Sequence, residues 1–361
     1  MAIHQAEFYA SADYFRQEQD TIFRRNWVCA GFLHQVPNPG DVVPVSVGST
    51  PLILVRDRDP EASVRVFHNV CRHRGSRLVD APDSDCRLIR CPYHSWAYGL
   101  DGNLLQQPHF DGPDEHAASG PGLWPVRSAT WLDLVFVDIG GGAEDFAEFI
   151  EPLAAISREY GVQDARYDES VEIEIAANWK LIVENFVDAY HVSSVHPALE
   201  KSVPTRTHRF HAQRNICVGQ APLNSSDDRY QGGSYVEGLP HFPGVQEPVR
   251  ARLTYLNLFP NLCINLMPDR FSIYHVHPLA PDRSLETIHN YYAEDAFGTD
   301  TETLRRRMTS NQLAFNAEDI DALERLQAGR SSASYDGGCP SPYWDTNAET
   351  FLRRCFESET V

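Results

Sequence analysis

Cys71 and His73 stand as C-x-H, and Cys91 and His94 as C-x-x-H, with seventeen residues between the two pairs. Two thiolates and two imidazoles in this order suit a [2Fe-2S] cluster of the Rieske type, in which histidines replace cysteines on one iron and raise the potential. The bland alternative is a structural zinc site, because two Cys and two His are also a common tetrahedral zinc set. Zinc fingers usually keep like ligands together, whereas each pair here is mixed. One thiolate and one imidazole at each loop tip lets the two thiolates take one iron and the two imidazoles the other. Gly75, Pro92 and the Asp101-Gly102 pair are turn formers, so the spacing predicts two loops that end β-hairpins.

A second group lies further on, in Asn178-Trp179-Lys180, Glu184 to His191, and His196-Pro197. His191 and His196 are five apart, about 140° beyond a full helical turn, so regular helix does not bring both to one ion. Pro197 places His196 at a helix end, since the residue before a proline avoids the α region. Two such histidines with one carboxylate make the facial triad of non-haem Fe(II) oxygenases, which leaves positions open for oxygen. A lone histidine pair would more often be satisfied core or loop residues. Here the electron-carrying cluster is followed by some 220 further residues and needs something to reduce. Asp319 is the candidate carboxylate: Leu323 and Leu326 follow it at four and seven residues, which places it on an apolar helix face. Glu318, Asp321 and Glu324 read as a solvated surface.

The elements that must position these residues follow from the patterning. A short amphipathic helix is expected over 7–25. Strands and turns then run from Trp27 to about Val137, at 42–47, 52–55, 64–67, 87–89 and 132–137. Gly140-Gly141-Gly142 reads as a linker. A helix over 144–160, a strand over 171–175 and a helical stretch from Asn178 into the 190s come next. Alternating segments at 253–259, 262–266, 271–277 and 285–292 suggest one antiparallel sheet, and a helix over about 301–327 follows it.

With 361 residues, more than one domain is expected. A hydrophobic fraction of 42% with 22% charged residues is that of a globular protein, and a net charge of -19 speaks against nucleic acid or an anionic membrane as partner. The first residues show no basic region with an apolar run, and no segment reaches eighteen apolar residues, so the cytoplasm is the expectation. The six cysteines outside the two pairs form no framework pattern and fit a reducing compartment, where the sequon at Asn224 carries no weight.

These motifs identify the chain as similar to the oxygenase component of Rieske non-haem iron, aromatic-ring-hydroxylating oxygenases over nearly its whole length. The resemblance implies an α+β architecture: an all-β Rieske domain over 27–140, then a helix-grip-like catalytic domain over 141–361 with an antiparallel sheet, on which an N-terminal helical segment, 1–26, packs. It implies Cys71, His73, Cys91 and His94 as cluster ligands and His191, His196 and Asp319 as mononuclear iron ligands. Asp188, three residues before His191 and so on the same helical face, matches an acid that bridges the iron site to the cluster of the next subunit in a homotrimer. The interval between Glu184-Asn185 and His191 is shorter than in naphthalene and biphenyl dioxygenases and similar to the choline, carnitine and glycine-betaine monooxygenases. That branch often has Glu where this chain has Asp188, which keeps an aromatic substrate open beside a methylated ammonium compound. Phe210, Tyr235, Tyr255, Phe259, Phe271 and Tyr274 could build a cation-π cage, an arene slot or plain sheet core. The chain has no G-x-G-x-x-G after a strand and no flavin signature. Electrons from NAD(P)H would therefore arrive through a separate flavin/iron-sulfur reductase, with or without a ferredoxin, to act on O2 and a small molecule. A Rieske electron carrier without oxygenase activity and a zinc-stabilised binding module are the two other classes.

Overall fold

A computed structural model of the protein describes residues 6–59, 64–111, 120–223 and 238–360. Tyr235 and the Asn224 sequon lie outside the described residues. The chain divides into two compact units, residues 23–146 and residues 1–22 with 147–361. Among the described residues no helix is long and apolar enough to cross a membrane, and all eight cysteines are free.

The 23–146 unit is built from short strands rich in β-branched residues. β1 (Val28–Phe32), β2 (Val42–Val47), β3 (Thr50–Arg56), β4 (Val64–His68), β5 (Ile89–Arg90), β6 (Ala97–Tyr98), β7 (Leu104–Gln106), β8 (Arg127–Trp131) and β9 (Leu134–Asp138) form three small sheets, ordered β1-β9-β8, β2-β3-β4 and β5-β6-β7. One core cluster gathers Val42, Ile53, Val55 and Phe67 with Cys71, Cys91, Trp96 and Tyr98. Both candidate cluster cysteines are thus held from behind by apolar packing. Only the second ligand loop, 91–96, joins paired strands, β5 and β6. The expected hairpin at the first is absent: β4 runs into irregular chain until β5.

In the other unit the predicted single N-terminal helix is two, α1 (Glu7–Ala10) and α2 (Ala12–Glu18), divided at Ser11, whose hydroxyl caps the second. α3 (Phe146–Glu159) leads to β10 (Arg166–Ile175), and α4 (Trp179–Val187) follows. Asn178 caps α4 by accepting from the Lys180 N–H at 3.0 Å, while its own N–H donates to Gln327 Oε1 at 2.8 Å. Inside this helix Lys180 is fully buried and ion-paired with Glu18, and Glu184 takes a 2.9 Å bond from the Tyr9 hydroxyl and a 3.0 Å contact from Arg330. The Asn-Trp-Lys motif therefore locks α4, α2 and the far helix together. The chain continues through α5 (Val192–Val195), α6 (Pro197–Ser202), β11 (Arg209–Gln213), β12 (Ile216–Pro222), β13 (Arg252–Leu258), β14 (Leu262–Leu266), β15 (Arg270–Ala280), β16 (Arg283–Tyr292), α7 (Thr299–Arg330) and α8 (Thr346–Thr360). The seven strands pair antiparallel in the order β10-β16-β15-β14-β13-β12-β11, and α4 and α7 pack across one face of this sheet.

Candidate metal centres

The two cluster loops share one backbone design. Cys71 N–H donates to Ser76 O at 2.8 Å and Gly75 N–H to Cys71 O at 3.1 Å; Cys91 N–H donates to Trp96 O at 2.8 Å and Ser95 N–H to Cys91 O at 3.1 Å. The fifth residue of each loop has positive φ, +76° at Gly75 and +58° at Ser95. Gly75 is the residue type that turn requires, and Ser95 takes the same turn at a small conformational cost. Tyr98 OH lies 3.3 Å from Cys71 Sγ and accepts from the Arg72 N–H at 3.1 Å. The imidazoles of His73 and His94 face each other with centroids 4.7 Å apart, and His73 stacks flat on Trp96. The Nδ1 atoms of both histidines are buried and without a hydrogen-bond partner. Burial, with the Cys91 thiol close by, pushes the Cys71 thiol up against the pull of Tyr98. Two crowded thiols and two orphaned imidazole nitrogens are costly unless a cationic centre joins them, so the residues fit a cluster.

A single zinc would need all four ligand atoms within about 4 Å of one another. Among the described residues the trio whose ligand atoms converge within 4.8 Å is a different one: His191, His196 and Asp319. His196 Nε2 lies 3.0 Å and His191 Nε2 3.5 Å from Asp319 Oδ1. Ligands about 2 Å from one ion sit roughly 3 Å apart, so this trio fits a mononuclear iron.

The local chain differs from the expected continuous helix. α4 ends at Val187, Asp188 is extended at φ −91° and ψ 139°, and His191 caps the N-terminus of α5. Asp188 therefore reaches His191 across a break and not along a helical face: Oδ2 lies 2.9 Å from His191 Nδ1, while Oδ1 accepts from the Tyr190 N–H at 2.5 Å. His196 closes α5 at φ −118° and ψ 68°, immediately before Pro197, where the sequence places a helix end.

Glu318 corrects the solvated reading of its helix face. Its Oε2 lies 2.7 Å from His196 Nδ1, so each histidine has a carboxylate on its outer nitrogen and Nε2 turned inward. That pattern fixes the tautomer with Nε2 free to ligate. Burial opposes protonation of His196, yet Asp319 and Glu318 outweigh it and hold its pKa above the ordinary value. Asp321 behaves as expected, exposed and paired with Arg325 at 2.9 Å. Leu323 is buried but Leu326 is 41% exposed, so the apolar face that carries Asp319 is narrower than the sequence suggests. Asn185 Nδ2 steadies Asp319 by donating to Oδ1 at 3.1 Å.

Behind the trio lies a cavity of about 160 Å³ between α4, α7 and the sheet. Of the aromatic candidates, Tyr255 and Tyr274 line it, joined by Phe186 and Phe315; Phe210, Phe259 and Phe271 do not. Gly219 pairs with Tyr255 across β12 and β13, and a Cβ at Gly219 would fall 2.1 Å from the Tyr255 ring. The glycine thus lets that ring lie down, with its hydroxyl 2.8 Å from His208 Nδ1. Tyr274 OH accepts from Gln312 Nε2 at 2.7 Å, and Glu286 Oε2 from Asn316 Nδ2 at 2.5 Å. Burial, with Asp319 nearby, pushes the Glu286 carboxyl up to about 7.

A small β domain with paired Cys/His loops, followed by a helix-covered antiparallel sheet with a two-histidine, one-carboxylate trio, defines the class of Rieske non-haem iron oxygenases. Residues 162–356 match the family model of the ring-hydroxylating alpha subunit catalytic domain and residues 26–119 that of the Rieske [2Fe-2S] domain. The chain belongs to the ring-hydroxylating α-subunit family, and its two domains are those of a [2Fe-2S] cluster and a mononuclear iron. It is 27% identical to the glycine betaine monooxygenase oxygenase subunit of Pseudomonas aeruginosa, over 96% of this chain and 86% of that one. It is 25% identical to the carnitine monooxygenase oxygenase subunit of Escherichia coli, over 92% and 85%. Among solved structures it is similar to the quaternary ammonium Rieske monooxygenase CntA, with TM-score 0.81 at 21% identity over 99% and 95% of the two chains. Naphthalene 1,2-dioxygenase from Rhodococcus sp. superposes with TM-score 0.79 at 19% identity over 98% and 93%.

Proposed function

We propose that this chain is the terminal oxygenase of a multicomponent system that hydroxylates, dihydroxylates or oxidatively demethylates a small methylated ammonium compound or an aromatic one. The observation that carries the reading is the arrangement of His191 and His196, each tied at Nδ1 to a carboxylate and turned at Nε2 toward Asp319, at the wall of an apolar cavity. Cys71, His73, Cys91 and His94 would hold the cluster, which supplies electrons one at a time. His191, His196 and Asp319 would hold the iron, where dioxygen is activated. The chain's own residues do the rest: Asp188 and Glu318 keep both imidazoles in the ligating tautomer, and the apolar wall displaces water. Electrons would come from NAD(P)H through a separate flavin/iron-sulfur reductase, with or without a ferredoxin.

The likeness to glycine betaine and carnitine oxygenases supports a methylated ammonium substrate, and Phe186, Tyr255 and Tyr274 give the cavity an aromatic lining of the kind that favours such a cation. Inter-subunit electron transfer is described for a quaternary ammonium Rieske monooxygenase of similar structure; here a homotrimer with Asp188 at the crossing point is part of the same reading. So are a cytoplasmic location and a functional division at 27–140 and 141–361 with 1–26 on the catalytic side, supported by the compact division at 23–146. The test is oxygen uptake and product formation with a surrogate reductase against trimethylammonium compounds and aromatic acids. Uptake matched by product in one class supports the reading. Cluster reduction without product, in a protein that binds no mononuclear iron, would make the chain an electron carrier.

A further inference from the structure

Tyr255 stands on the wall of the cavity that also holds the iron trio, and its hydroxyl faces a base. Its oxygen lies 2.8 Å from His208 Nδ1, within reach for direct proton transfer. The other ring nitrogen of His208, Nε2, faces the Val203 carbonyl at 3.4 Å. A carbonyl only accepts, so the ring proton belongs on Nε2 and Nδ1 accepts from the Tyr255 hydroxyl. Burial holds His208 below its ordinary pKa and pushes the Tyr255 phenol up. The pair is therefore a neutral phenol donating to a neutral imidazole. Tyr274, on the same wall, is the opposite case: Gln312 Nε2 at 2.7 Å and Asn265 Nδ2 at 3.3 Å both donate to its oxygen, and an amide N–H cannot take its proton. A buried tyrosine needs a hydrogen-bond partner in any event, but of the two wall tyrosines Tyr255 alone has a basic one.

Behind that pair, aromatic side chains run on to the surface. Phe210, Gly219 and Tyr255 stand side by side on β11, β12 and β13. With no side chain at Gly219, the tip of the Tyr255 ring lies over it, toward β11. Phe210 packs edge-on to Tyr343 at 5.7 Å and to Trp344 at 6.0 Å, and the Tyr343 hydroxyl donates to the His208 carbonyl at 2.9 Å. Trp344 lies 4.8 Å from Tyr343 and stacks flat on Tyr190 at 5.6 Å. Tyr343 and Tyr190 are 45% and 56% exposed. Phenols and indoles are the side chains without sulfur that lose an electron most readily. The row thus joins oxidisable groups from the iron cavity to the surface of the chain.

We infer that Tyr255 is redox-active: when the iron meets an oxidant and no substrate fills the cavity, Tyr255 supplies an electron, its proton passes to His208, and Trp344 refills it. The inference rests on the oxygenase reading and adds an exit for oxidising equivalents that substrate does not consume. With hydrogen peroxide as the oxidant the step balances. The O–O bond breaks; Fe(II) gives one electron and becomes Fe(III), Tyr255 gives the other and becomes a neutral phenoxyl radical, and two protons from solvent complete two molecules of water. The phenol proton stays on His208 Nδ1 as imidazolium. It returns to the phenoxyl oxygen when Trp344 delivers its electron, and the oxidised indole releases its N–H proton to solvent.

The test mixes the cluster- and iron-loaded protein, its cluster oxidised and so EPR-silent, with hydrogen peroxide in the absence of organic substrate, and freeze-quenches it. The native chain should give a tyrosyl EPR signal that passes into a tryptophanyl one, with oxygen added to Trp344 in peptide mass spectra. The radical yield should fall about tenfold or more in Tyr255→Phe and in His208→Phe, since a positioned base contributes at least ~100-fold to a proton-transfer rate. It should stay native in Tyr274→Phe, and in Trp344→Phe the tyrosyl signal should outlast the native one. Asp319→Ala, without the iron, should give no radical. Iron count and visible spectrum show that each variant is folded; should His208→Phe not be, Tyr255→Phe alone decides. A native chain that takes up no mononuclear iron would overturn the oxygenase reading and the relay with it. Iron oxidised by peroxide with no radical, an undiminished radical in Tyr255→Phe, or the same radical in Asp319→Ala would overturn the relay alone.

Discussion

Removing the Glu318 carboxylate should weaken the iron site from outside its ligand set. Glu318 touches His196 only at Nδ1, 2.7 Å away and on the far side of the ring from Asp319. Loss of such an outer partner costs about 10- to 100-fold in metal affinity, or ~1.4 to 2.7 kcal/mol. The Glu318 side chain is 43% exposed, so water can take over part of its bond and Glu318→Ala should sit near the tenfold end. Glu318→Gln keeps an acceptor oxygen and should lose about threefold or less. The pH profile adds a second, opposite sign. In the metal-free protein Glu318 helps hold the His196 pKa above its ordinary value. Iron uptake is therefore fullest above that pKa and falls as pH drops through it, because an imidazolium cannot ligate. In Glu318→Ala the plateau affinity should fall while the acid limb moves to lower pH. Anaerobic Fe(II) titration against a chelator from pH 6 to 8, with the cluster spectrum as an internal control, reads both effects. Native affinity with a native acid limb in Glu318→Ala would refute the assignment of Glu318 to His196.

Asp319→Ala should lose mononuclear iron and turnover but keep the cluster spectrum, whereas Asp321→Ala, paired only with Arg325, should keep both metals; metal analysis of the two variants decides. Gly219→Ala should drive Tyr255 out of its seat and break its bond to His208, at about 1–3 kcal/mol for overpacking and a fall of a few degrees in Tm, with KM rising more than kcat falls. Mixing His73→Ala, which lacks a complete cluster, with His191→Ala, which lacks a complete iron site, should restore activity if electrons cross between subunits. Asp188→Asn should keep both metals yet lose most turnover, since an amide cannot accept from imidazole N–H groups on both sides as a carboxylate does.

The cluster loops were legible because their ligands lie close along the chain and their turns need particular residues, Gly75 among them. His196 was legible through Pro197. The contact of Asp188 with His191 exists because the helix breaks between them, and local periodicity does not register a break that tertiary packing imposes. Glu318 was invisible because its partner is 122 residues away, and an acidic stretch in a helix looks the same whether it is solvated or bonded to a buried ring. The sheet was predicted at four strands, yet which face of each bordered the cavity was not. Period-two alternation separates Tyr274 from Phe271 but is silent on which one meets water or ligand when both faces are buried. α8 lies outside the predicted elements although Phe351, Leu352 and Cys355 give it a buried stripe.

A Rieske cluster and a separate mononuclear iron are expected together in one chain. Iron and acid-labile sulfide counted on the anaerobically purified protein, with the EPR spectrum of the reduced cluster, test it most directly. The expected result is about three irons and about two sulfides per chain, a reddish-brown protein and a Rieske signal that survives Asp319→Ala as the iron count falls to about two. A colourless zinc protein, or two irons in the native chain with none lost in Asp319→Ala, would contradict it.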